Sequence, residues 1–179
     1  MNERTFIAFL RGINVSGHRI IKMEDLKKLL SGLNLKDVHT YIQSGNLLFK
    51  SNLDEENIEK LITNEIKKTY GYDVKTFVLS YEKGQKILAD CPFNLQQLKD
   101  KEAIYITLIS WIPDKDKIEE LTKVNSHDEF TVLGNIIYVL CKNGYSQTPF
   151  GNSVIEKYLK QEATSRKMNT LIKLLQIIN

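Results

Sequence analysis

The sequence predicts an α+β protein with mostly antiparallel sheets, in which one pattern of strands and helices occurs twice. Short apolar runs bounded by turn residues alternate with stretches of helical periodicity over residues 1–80. Their order is strand, helix, strand, strand, helix, strand, which is typical of a split βαβ arrangement. A similar order starts again at residue 103, so we expect a duplicated fold.

The first half contains all six elements of this order. In sequence they are a buried strand over 4–10, a helix from Met23 to Gly32, strands over 38–43 and 47–49, a helix ending at Gly71 and a strand over 74–79. This order favours a ferredoxin-like lobe over residues 1–80. Since the crossover between the first two strands is expected to be right-handed, these strands should run parallel.

The second half repeats the order incompletely. After a connecting helix and loop over 81–102, broken at Pro92, we expect strands over 103–109, 129–133 and 136–141, a helix around Ile118 and two final helices over 152–161 and 165–178. No closing strand is visible. Residues 103–179 are therefore predicted to be an incomplete second repeat with two C-terminal helices, packed with the first lobe into one compact unit.

Two hairpins support the duplication. TYIQSGNLLF (40–49) can be laid over EFTVLGNIIY (129–138), with Gly-Asn at both turns. Val132 and Leu133 then stand in place of Gln43 and Ser44, so a turn of this kind does not require those two polar residues. Exposed polar residues are common near turns, however, and the comparison leaves a structural role and a binding role for them open.

Charge and cysteine content narrow the class of protein. The formal net charge is +3, too mild to diagnose nucleic-acid binding, and the whole excess lies in residues 152–179. Cys91 and Cys141 stand alone, without the spacing of a disulfide framework or a metal site. Isolated thiols, no signal peptide and no long apolar stretch predict a cytoplasmic protein with no membrane partner, no metal and no cofactor.

The loop RGINVSG (11–17) carries more polar groups than a strand-to-helix connection needs. It follows the first strand directly, and the parallel course of the first two strands places it at the same sheet edge as the turn over 43–46. Arg11 and the loop N–H groups can bind an anion there, although the loop matches neither of the common glycine-rich phosphate motifs. A surface ion pair of Arg11 and backbone geometry at Gly12 are the alternative explanations.

The segment ATSRKMNT (163–170) is predicted to begin the last helix, with Thr164 or Ser165 as its cap. Arg166 and Lys167 then lie in the first turn, where cations oppose the helix dipole. A bound anion would reverse that penalty, because free N–H groups at a helix start and Arg166 can bind it together. A solvated charge pair of small cost is the alternative.

Together, RGINVSG with Lys22, TYIQSGNLLF and ATSRKMNT followed by LIKLL resemble the DUF1697 family, small bacterial proteins of unassigned activity. The resemblance covers nearly the whole chain and implies a duplicated α+β fold related to the ferredoxin-like one, but no reaction. The family-like positions are Arg11, Gly12, Asn14, Gly17, Tyr41, Gln43, Ser44, Gly45, Asn46, Thr164, Arg166, Asn169 and Thr170. Ser16, His39, Val154 and the Lys167-Met168 pair depart from the pattern.

The preferred hypothesis is a site for a phosphate-bearing or other anionic small molecule or nucleotide, in a cleft formed by loops 11–17, 43–46 and 164–170. Its predicted ligand-binding residues are Arg11, Gly12, Asn14, Gln43, Ser44, Asn46, Arg166, Asn169 and Thr170. No catalytic arrangement is legible, so no reaction is predicted. Two alternatives stay open: a nucleic-acid module with the final helices as a helix-turn-helix, and a protein-interaction domain using the apolar faces Leu26-Leu29-Leu30 and Ile58-Leu61-Ile66. The sequence predicts no oligomeric state.

Overall fold

The computed structural model describes residues 3–15 and 17–177 and confirms an α+β protein with two four-stranded antiparallel sheets. The strands are β1 (Arg4–Leu10), β2 (Lys36–Tyr41), β3 (Asn46–Ser51), β4 (Thr76–Ser80), β5 (Ala103–Ile109), β6 (Glu129–Leu133), β7 (Ile136–Cys141) and β8 (Ala163–Lys167). The helices are α1 (Met23–Ser31), α2 (Glu55–Tyr70), α3 (Tyr81–Ala89), α4 (Lys115–Thr122), α5 (Asn152–Leu159) and α6 (Met168–Gln176).

The chain divides into two compact units. Unit 1 holds the described residues up to Lys86 and again from Lys173, and unit 2 spans Ile87–Ile172. Each unit contains one of the two sheets.

The sheet of unit 1 has the strand order β2-β3-β1-β4, with every neighbouring pair antiparallel. Because β1 and β2 are both antiparallel to β3, they run parallel to each other, as the sequence predicted. The loop after β1 and the turn between β2 and β3 consequently leave the same edge of the sheet. We call this edge, formed by residues 11–15, 17–22 and 42–45, the loop edge of unit 1.

Helices α1 and α2 cover one face of this sheet. Their buried side chains pack with those of the strands in one core, which includes Leu26, Leu30, Ile58, Ile62, Ile66, Phe6, Ala8, Leu10, Leu47 and Phe49. The apolar helix faces that were candidate protein-interaction surfaces are thus largely core. Their burial removes the observation on which that alternative depended.

Local signals explain where α2 begins and ends. The carboxylate of Asp54 accepts a hydrogen bond from the N–H of Asn57 at 2.8 Å, which satisfies a donor that the helix itself leaves free. Gly71 follows the last turn with φ 72°, a left-handed conformation that glycine adopts without steric cost.

The sheet of unit 2 has the corresponding order β6-β7-β5-β8 and is also antiparallel throughout. The prediction that no strand closes the second repeat is wrong, because β8 pairs with β5 from Tyr105↔Lys167 to Ile109↔Ala163. Helices α4 and α5 contribute Leu121, Ile155 and Leu159 to the core on one face of this sheet.

The two C-terminal helices are confirmed, but the connection between them is not the predicted one. Residues 163–167 form strand β8, and α6 begins at Met168. Thr164 and Ser165 therefore do not cap a helix, and α5 and α6 are not joined by a turn. A helix-turn-helix over this region is wrong for the same reason.

The registers also correct the overlay of the two hairpins. Tyr41 pairs with Asn46 around a four-residue loop, whereas Leu133 pairs with Ile136 around the two residues Gly134 and Asn135. Asn46 is thus a strand residue that corresponds to Ile136, not to Asn135. The first turn has two more residues than the second, so Gln43 and Ser44 lie in an insertion and are not replaced by Val132 and Leu133.

Candidate functional site

The predicted site residues fall into two groups. Arg11, Gly12, Asn14, Gln43, Ser44 and Asn46 belong to unit 1, and Arg166, Asn169 and Thr170 belong to unit 2. The first six lie on or beside the loop edge of unit 1, where contacts between the loops bring them together. Each group is described by itself, and Ser16 of the first loop lies outside the described residues.

Asn14 joins the two loops of this edge. Its side-chain Nδ2 donates to the carbonyl of Gln43 at 2.7 Å and to that of Ile21 at 2.9 Å. Its Oδ1 accepts from the N–H of Ile21 at 2.8 Å. Both amide hydrogens are therefore used within the protein, and the φ of 54° is one that asparagine tolerates better than most residues. Asn14 has a clear structural role, whatever it contributes to binding.

Backbone contacts fix the rest of the edge. Leu10 donates its N–H to the carbonyl of Gly45 at 2.8 Å, and Arg11 donates its N–H to that of Lys75 at 2.9 Å. A β-carbon at Gly45 would lie 2.7 Å from Cδ1 of Ile13 and 2.8 Å from Cβ of Leu10. Only glycine fits this approach of the two loops without displacing their side chains, and its φ of 72° favours glycine as well.

The loop edge is basic. Residues 11–22 contain Arg11, Arg19, Lys22 and a histidine but no Asp or Glu. The guanidinium of Arg19 lies over Gly12, since its Nη1 is 3.5 Å from a β-carbon built there. Gln43 is exposed in the adjoining loop. A guanidinium and a carboxamide on two loops that Asn14 joins offer several hydrogen-bond donors to an anion.

Ser44 and Asn46 are built into the turn. Asn46 is fully buried and donates Nδ2 bonds of 2.9 Å to the carbonyl of Tyr41 and to Oγ of Ser44. A buried amide that satisfies other polar groups is expensive to remove. These contacts explain the structural demand for Asn46, whereas Gln43 is bonded through its main-chain carbonyl and no described contact involves its side chain.

Arg19 was missed by the sequence analysis, and so were three exposed aliphatic residues. Val15, Ile20 and Ile42 are each more than half exposed, and each adjoins Asn14 or one of its hydrogen-bond partners in the chain. The available signal for Arg19 was its place in a loop without acids. Its position over Gly12 depends on the contact between residues 14 and 19, where the Asn14 N–H donates to the Arg19 carbonyl at 3.2 Å.

In unit 2, Arg166 is buried in β8 and is not at a helix start. Its Nη1 donates to Oγ1 of Thr164 at 2.9 Å and to the carbonyl of Ser165 at 2.8 Å. Burial lowers the pKa of this guanidinium to about 10, against a smaller opposing effect of Tyr145, so Arg166 stays a cation at neutral pH. The backbone of residues 163–167 pairs with β5, and the predicted cradle of free helical N–H groups at 164–167 is wrong.

The two remaining predicted residues lie in the first turn of α6. Asn169 is exposed and Thr170 is 7% exposed. On the neighbouring strand pair, Thr107 and Ser165 hydroxyls are 2.6 Å apart, and Ser165 donates to Oδ1 of Asn152 at 2.6 Å. Polar side chains in this part of unit 2 thus bond to one another.

A pocket of about 170 Å³ lies elsewhere in unit 1. Its lining includes His39, Leu48 and the ion pair of Lys50 with Asp37, whose atoms are 2.7 Å apart. None of the predicted site residues lines it. Because its two charged residues neutralise each other, this pocket offers no comparable attraction for an anion.

The grouping of metal-ligating side chains and the state of the two thiols can be described for part of the chain. Within residues 3–15 and 17–177, no three His, Cys, Asp or Glu side chains are grouped to hold a metal ion. Burial raises the pKa of the Cys141 thiol to about 11 and also raises that of Cys91, so neither thiol is activated as a nucleophile. In the same part of the chain, every helix is too short or too polar to cross a membrane.

Comparisons with known proteins agree with this fold. The fold is similar to that of a structure described as the conserved bacterial protein SP0830 from Streptococcus pneumoniae, with a TM-score of 0.78. The match covers 99% of this chain and 100% of the other chain, and the two sequences are 20% identical. None of the curated proteins gives a significant match. Residues 3–138 match the model of the family described as a protein of unknown function, DUF1697. The chain therefore belongs to the DUF1697 family.

Proposed function

We propose that the loop edge of unit 1 binds an anionic small molecule, namely a phosphate ester or a nucleotide. The single observation that carries the proposal is the bond between Asn14 Nδ2 and the Gln43 carbonyl at 2.7 Å. This bond holds a basic loop without acidic residues against an inserted turn that presents an exposed carboxamide. Arg11 and Arg19 supply positive charge, and Gln43 supplies a neutral donor.

Comparison with unit 2 supports a binding role for the insertion. The hairpin of unit 2 closes with two residues, while that of unit 1 has four and needs both the buried Asn46 and the close approach at Gly45. A turn of this length is not needed to connect two antiparallel strands. The added structure serves to place Gln43 beside the basic loop.

The exposed aliphatic side chains favour a ligand with an apolar part. Val15, Ile20 and Ile42 are 56%, 54% and 53% exposed, and hydrogen bonds of Asn14 tie their neighbours together. Three exposed aliphatic residues on connected loops of one sheet edge differ from the single exposed ones common on protein surfaces. An ester such as a nucleotide can contact them with its organic part while the guanidinium groups bind its phosphate.

Arg166, Asn169 and Thr170 form a second and separate part of the proposal, in unit 2. The register equates Arg166 with Leu79 of unit 1, so this position does not require a cation to form the sheet. A guanidinium withdrawn from water gains more from an anion than an exposed one does. Anion binding by these three residues is tested independently of the loop edge.

Each unit is, on this proposal, one copy of a ferredoxin-like lobe. The identical strand orders, the antiparallel neighbours and the helices placed between corresponding strands support the assignment. In this arrangement, the loop edge of unit 1 and the loops that follow β5 and β6 in unit 2 are equivalent positions.

Isothermal titration with pyrophosphate and with adenosine diphosphate tests the proposal. We expect both to bind wild-type protein, and Arg11→Gln or Arg19→Gln to weaken each at least tenfold, because a guanidinium contact to phosphate is charge-assisted. Arg4→Gln is the matched control, since Arg4 lies in the same unit at the opposite end of β1.

Binding that is unchanged in both loop variants would remove the loop edge as the site. Loss of binding in Arg166→Gln alone would instead assign the anion to unit 2. Circular dichroism of each variant checks that the fold is retained. No binding by the wild-type protein of either anion would contradict the proposed function altogether.

A further inference from the structure

The connection between α5 and β8 in unit 2 contains a buried side-chain amide whose nitrogen has no partner among the described residues. Gln161 is 6% exposed, and its Nε2 has no hydrogen-bond partner among residues 3–15 and 17–177. Its Oε1 accepts a hydrogen bond from the backbone N–H of Trp111 at 2.8 Å, and this bond fixes the orientation of the amide group. An unpaired buried donor is destabilising, and few of them persist in native proteins without a reason.

Trp111 stands directly beside this amide. Trp111 is 58% exposed and the next residue, Ile112, is 70% exposed. Ser110 Oγ donates to the Glu162 carbonyl at 3.4 Å, which joins the segments carrying Trp111 and Gln161 a second time. A large flat apolar surface and a buried donor group thus lie together, on segments 110–112 and 161–162.

We propose that this place in unit 2 binds a planar heteroaromatic ring, the chemistry of a nucleobase. The indole of Trp111 stacks on the face of the ring, and Nε2 of Gln161 donates to an acceptor atom at the edge of the ring. Because Oε1 already accepts from Trp111, the amide offers donors only. The amide therefore favours a ring with a nitrogen or a carbonyl oxygen at that edge over a ring that has only C–H groups there.

Access to the donor requires a local movement. The nitrogen is closed off from solvent, and the oxygen on the same carbon is held by the Trp111 backbone. On this proposal, residues 110–112, which are bonded to the segment that carries Gln161, shift when a ring binds, and the indole of Trp111 stacks on the ring. This inference rests on unit 2 alone and is independent of anion binding at the loop edge of unit 1.

The chain offers a direct readout, because Trp111 is its one tryptophan. Both the fluorescence and the single indole N–H signal in a ¹⁵N–¹H spectrum report on this residue. We expect titration with adenosine to quench the fluorescence and to shift the indole signal together with the side-chain NH₂ signals of Gln161. Those NH₂ signals are identified by their absence in Gln161→Met.

Variants and probes separate stacking from hydrogen bonding. Gln161→Met removes the donor at similar length and is expected to weaken adenosine binding at least fivefold. Gln161→Glu, which keeps an acceptor for Trp111, should weaken it as well. Gln147→Met, at an exposed glutamine of the same unit, is the control and should bind like wild type. Benzyl alcohol, whose ring has no edge acceptor, should bind weakly and equally to wild type and Gln161→Met, and ribose should not bind.

Three results would each overturn the inference. Adenosine at millimolar concentration that moves neither the indole nor the Gln161 signals shows that no base binds here. Equal affinity of wild type and both Gln161 variants shows that the buried amide does not take part. Ribose binding as well as adenosine shows that the sugar is recognised in place of the ring. If Gln161→Met does not fold, Gln161→Glu and the signals of the wild-type protein still decide.

Discussion

The two units have corresponding strand orders, but their corresponding loops carry different side chains: basic ones in unit 1 and apolar ones in unit 2. Since Leu10 pairs with Thr76 as Ile109 pairs with Ala163, Arg11 of unit 1 corresponds to Ser110 of unit 2. In the same register, Gly12 corresponds to Trp111. One unit therefore carries a basic loop and an inserted turn, and the other carries an exposed indole and a two-residue turn.

This difference separates what the fold needs from what a site needs. Both hairpins form, so the fold tolerates either turn. Within residues 3–15 and 17–177, the basic loop without acids, the inserted turn and the Asn14 bonds belong to unit 1, and the buried Gln161 Nε2 without a partner belongs to unit 2. Features that one unit lacks without losing its sheet are the better candidates for binding, because the sheet cannot be their explanation.

The largest expected difference in stability between the two units concerns their turn glycines. Gly45→Ala places a β-carbon 2.7 Å from Ile13 at a φ of 72°, and we expect a loss of about 2–5 kcal/mol from strain and overpacking. Gly134→Ala has a φ of 61° but no heavy atom within 4 Å, so strain alone should cost about 1–2 kcal/mol. Thermal unfolding of both variants measures the difference, and equal losses would contradict the described packing of unit 1.

The next effect compares the two turn asparagines. Asn46→Ala leaves the carbonyl of Tyr41 and the hydroxyl of Ser44 without a buried donor, which should cost about 2–3 kcal/mol. Asn135→Ala removes only a 3.3 Å bond from an exposed side chain to the Ile109 carbonyl, so a change within about 0.5 kcal/mol is expected. Denaturant titrations of the pair provide the measurement, and similar losses in the two variants would favour the overlay of Gly45-Asn46 on Gly134-Asn135.

The corresponding strands β3 and β7 should differ in how their contribution to stability depends on pH. Burial raises the pKa of Tyr138 to about 12, and its hydroxyl donates to the Ile87 carbonyl at 2.9 Å. The corresponding residue of unit 1, Leu48, does not titrate. Between pH 10 and 12 the unfolded chain loses this proton while the folded protein keeps it, so the stabilisation present below pH 10 is lost as pH rises.

From pH 9 to 11, the wild type should therefore lose about 1 kcal/mol more stability than Tyr138→Phe. Chemical unfolding of both proteins at the two pH values provides the measurement. Parallel pH dependence in wild type and variant would show that the hydroxyl is not buried as described.

The smallest effect on stability should come from Gln43→Ala. Gln43 is exposed, and a surface substitution of this kind changes stability by less than about 0.5 kcal/mol. Binding of adenosine diphosphate should nevertheless weaken by a factor of about 5, the loss of one hydrogen bond. Thermal unfolding and calorimetric titration of the same sample separate the two quantities. Unchanged affinity would leave the inserted turn without a binding role.

Most elements were predictable because their patterns are strong. The apolar run of β1, the helical repeat of Leu26 and Leu30, and the glycine after α2 each agree with the structure. The convergence of the first loop with the 43–46 turn also followed from the sequence, since it depends only on the parallel course of β1 and β2.

Strand β8 was not predictable from local pattern. Its residues, Ala-Thr-Ser-Arg-Lys, contain no apolar run, and pairing with β5 decides their conformation. The overlay of the two hairpins on their Gly-Asn dipeptides was wrong for another reason. The same dipeptide closes a two-residue turn in one hairpin and ends a four-residue loop in the other, and only the registers distinguish them. Arg19 and Gln161 became candidates only through contacts formed on folding.

A ¹⁵N–¹H titration with adenosine diphosphate tests the central claim that the loop edge of unit 1 is a binding site which the fold itself does not require. The account predicts that phosphate-dependent shifts, seen with pyrophosphate as well, concentrate in residues 11–22 and 42–45 and disappear in Arg11→Gln. Shifts caused by pyrophosphate at Ser110 and Asn135 in place of these residues, or no shifts with either anion, would contradict it.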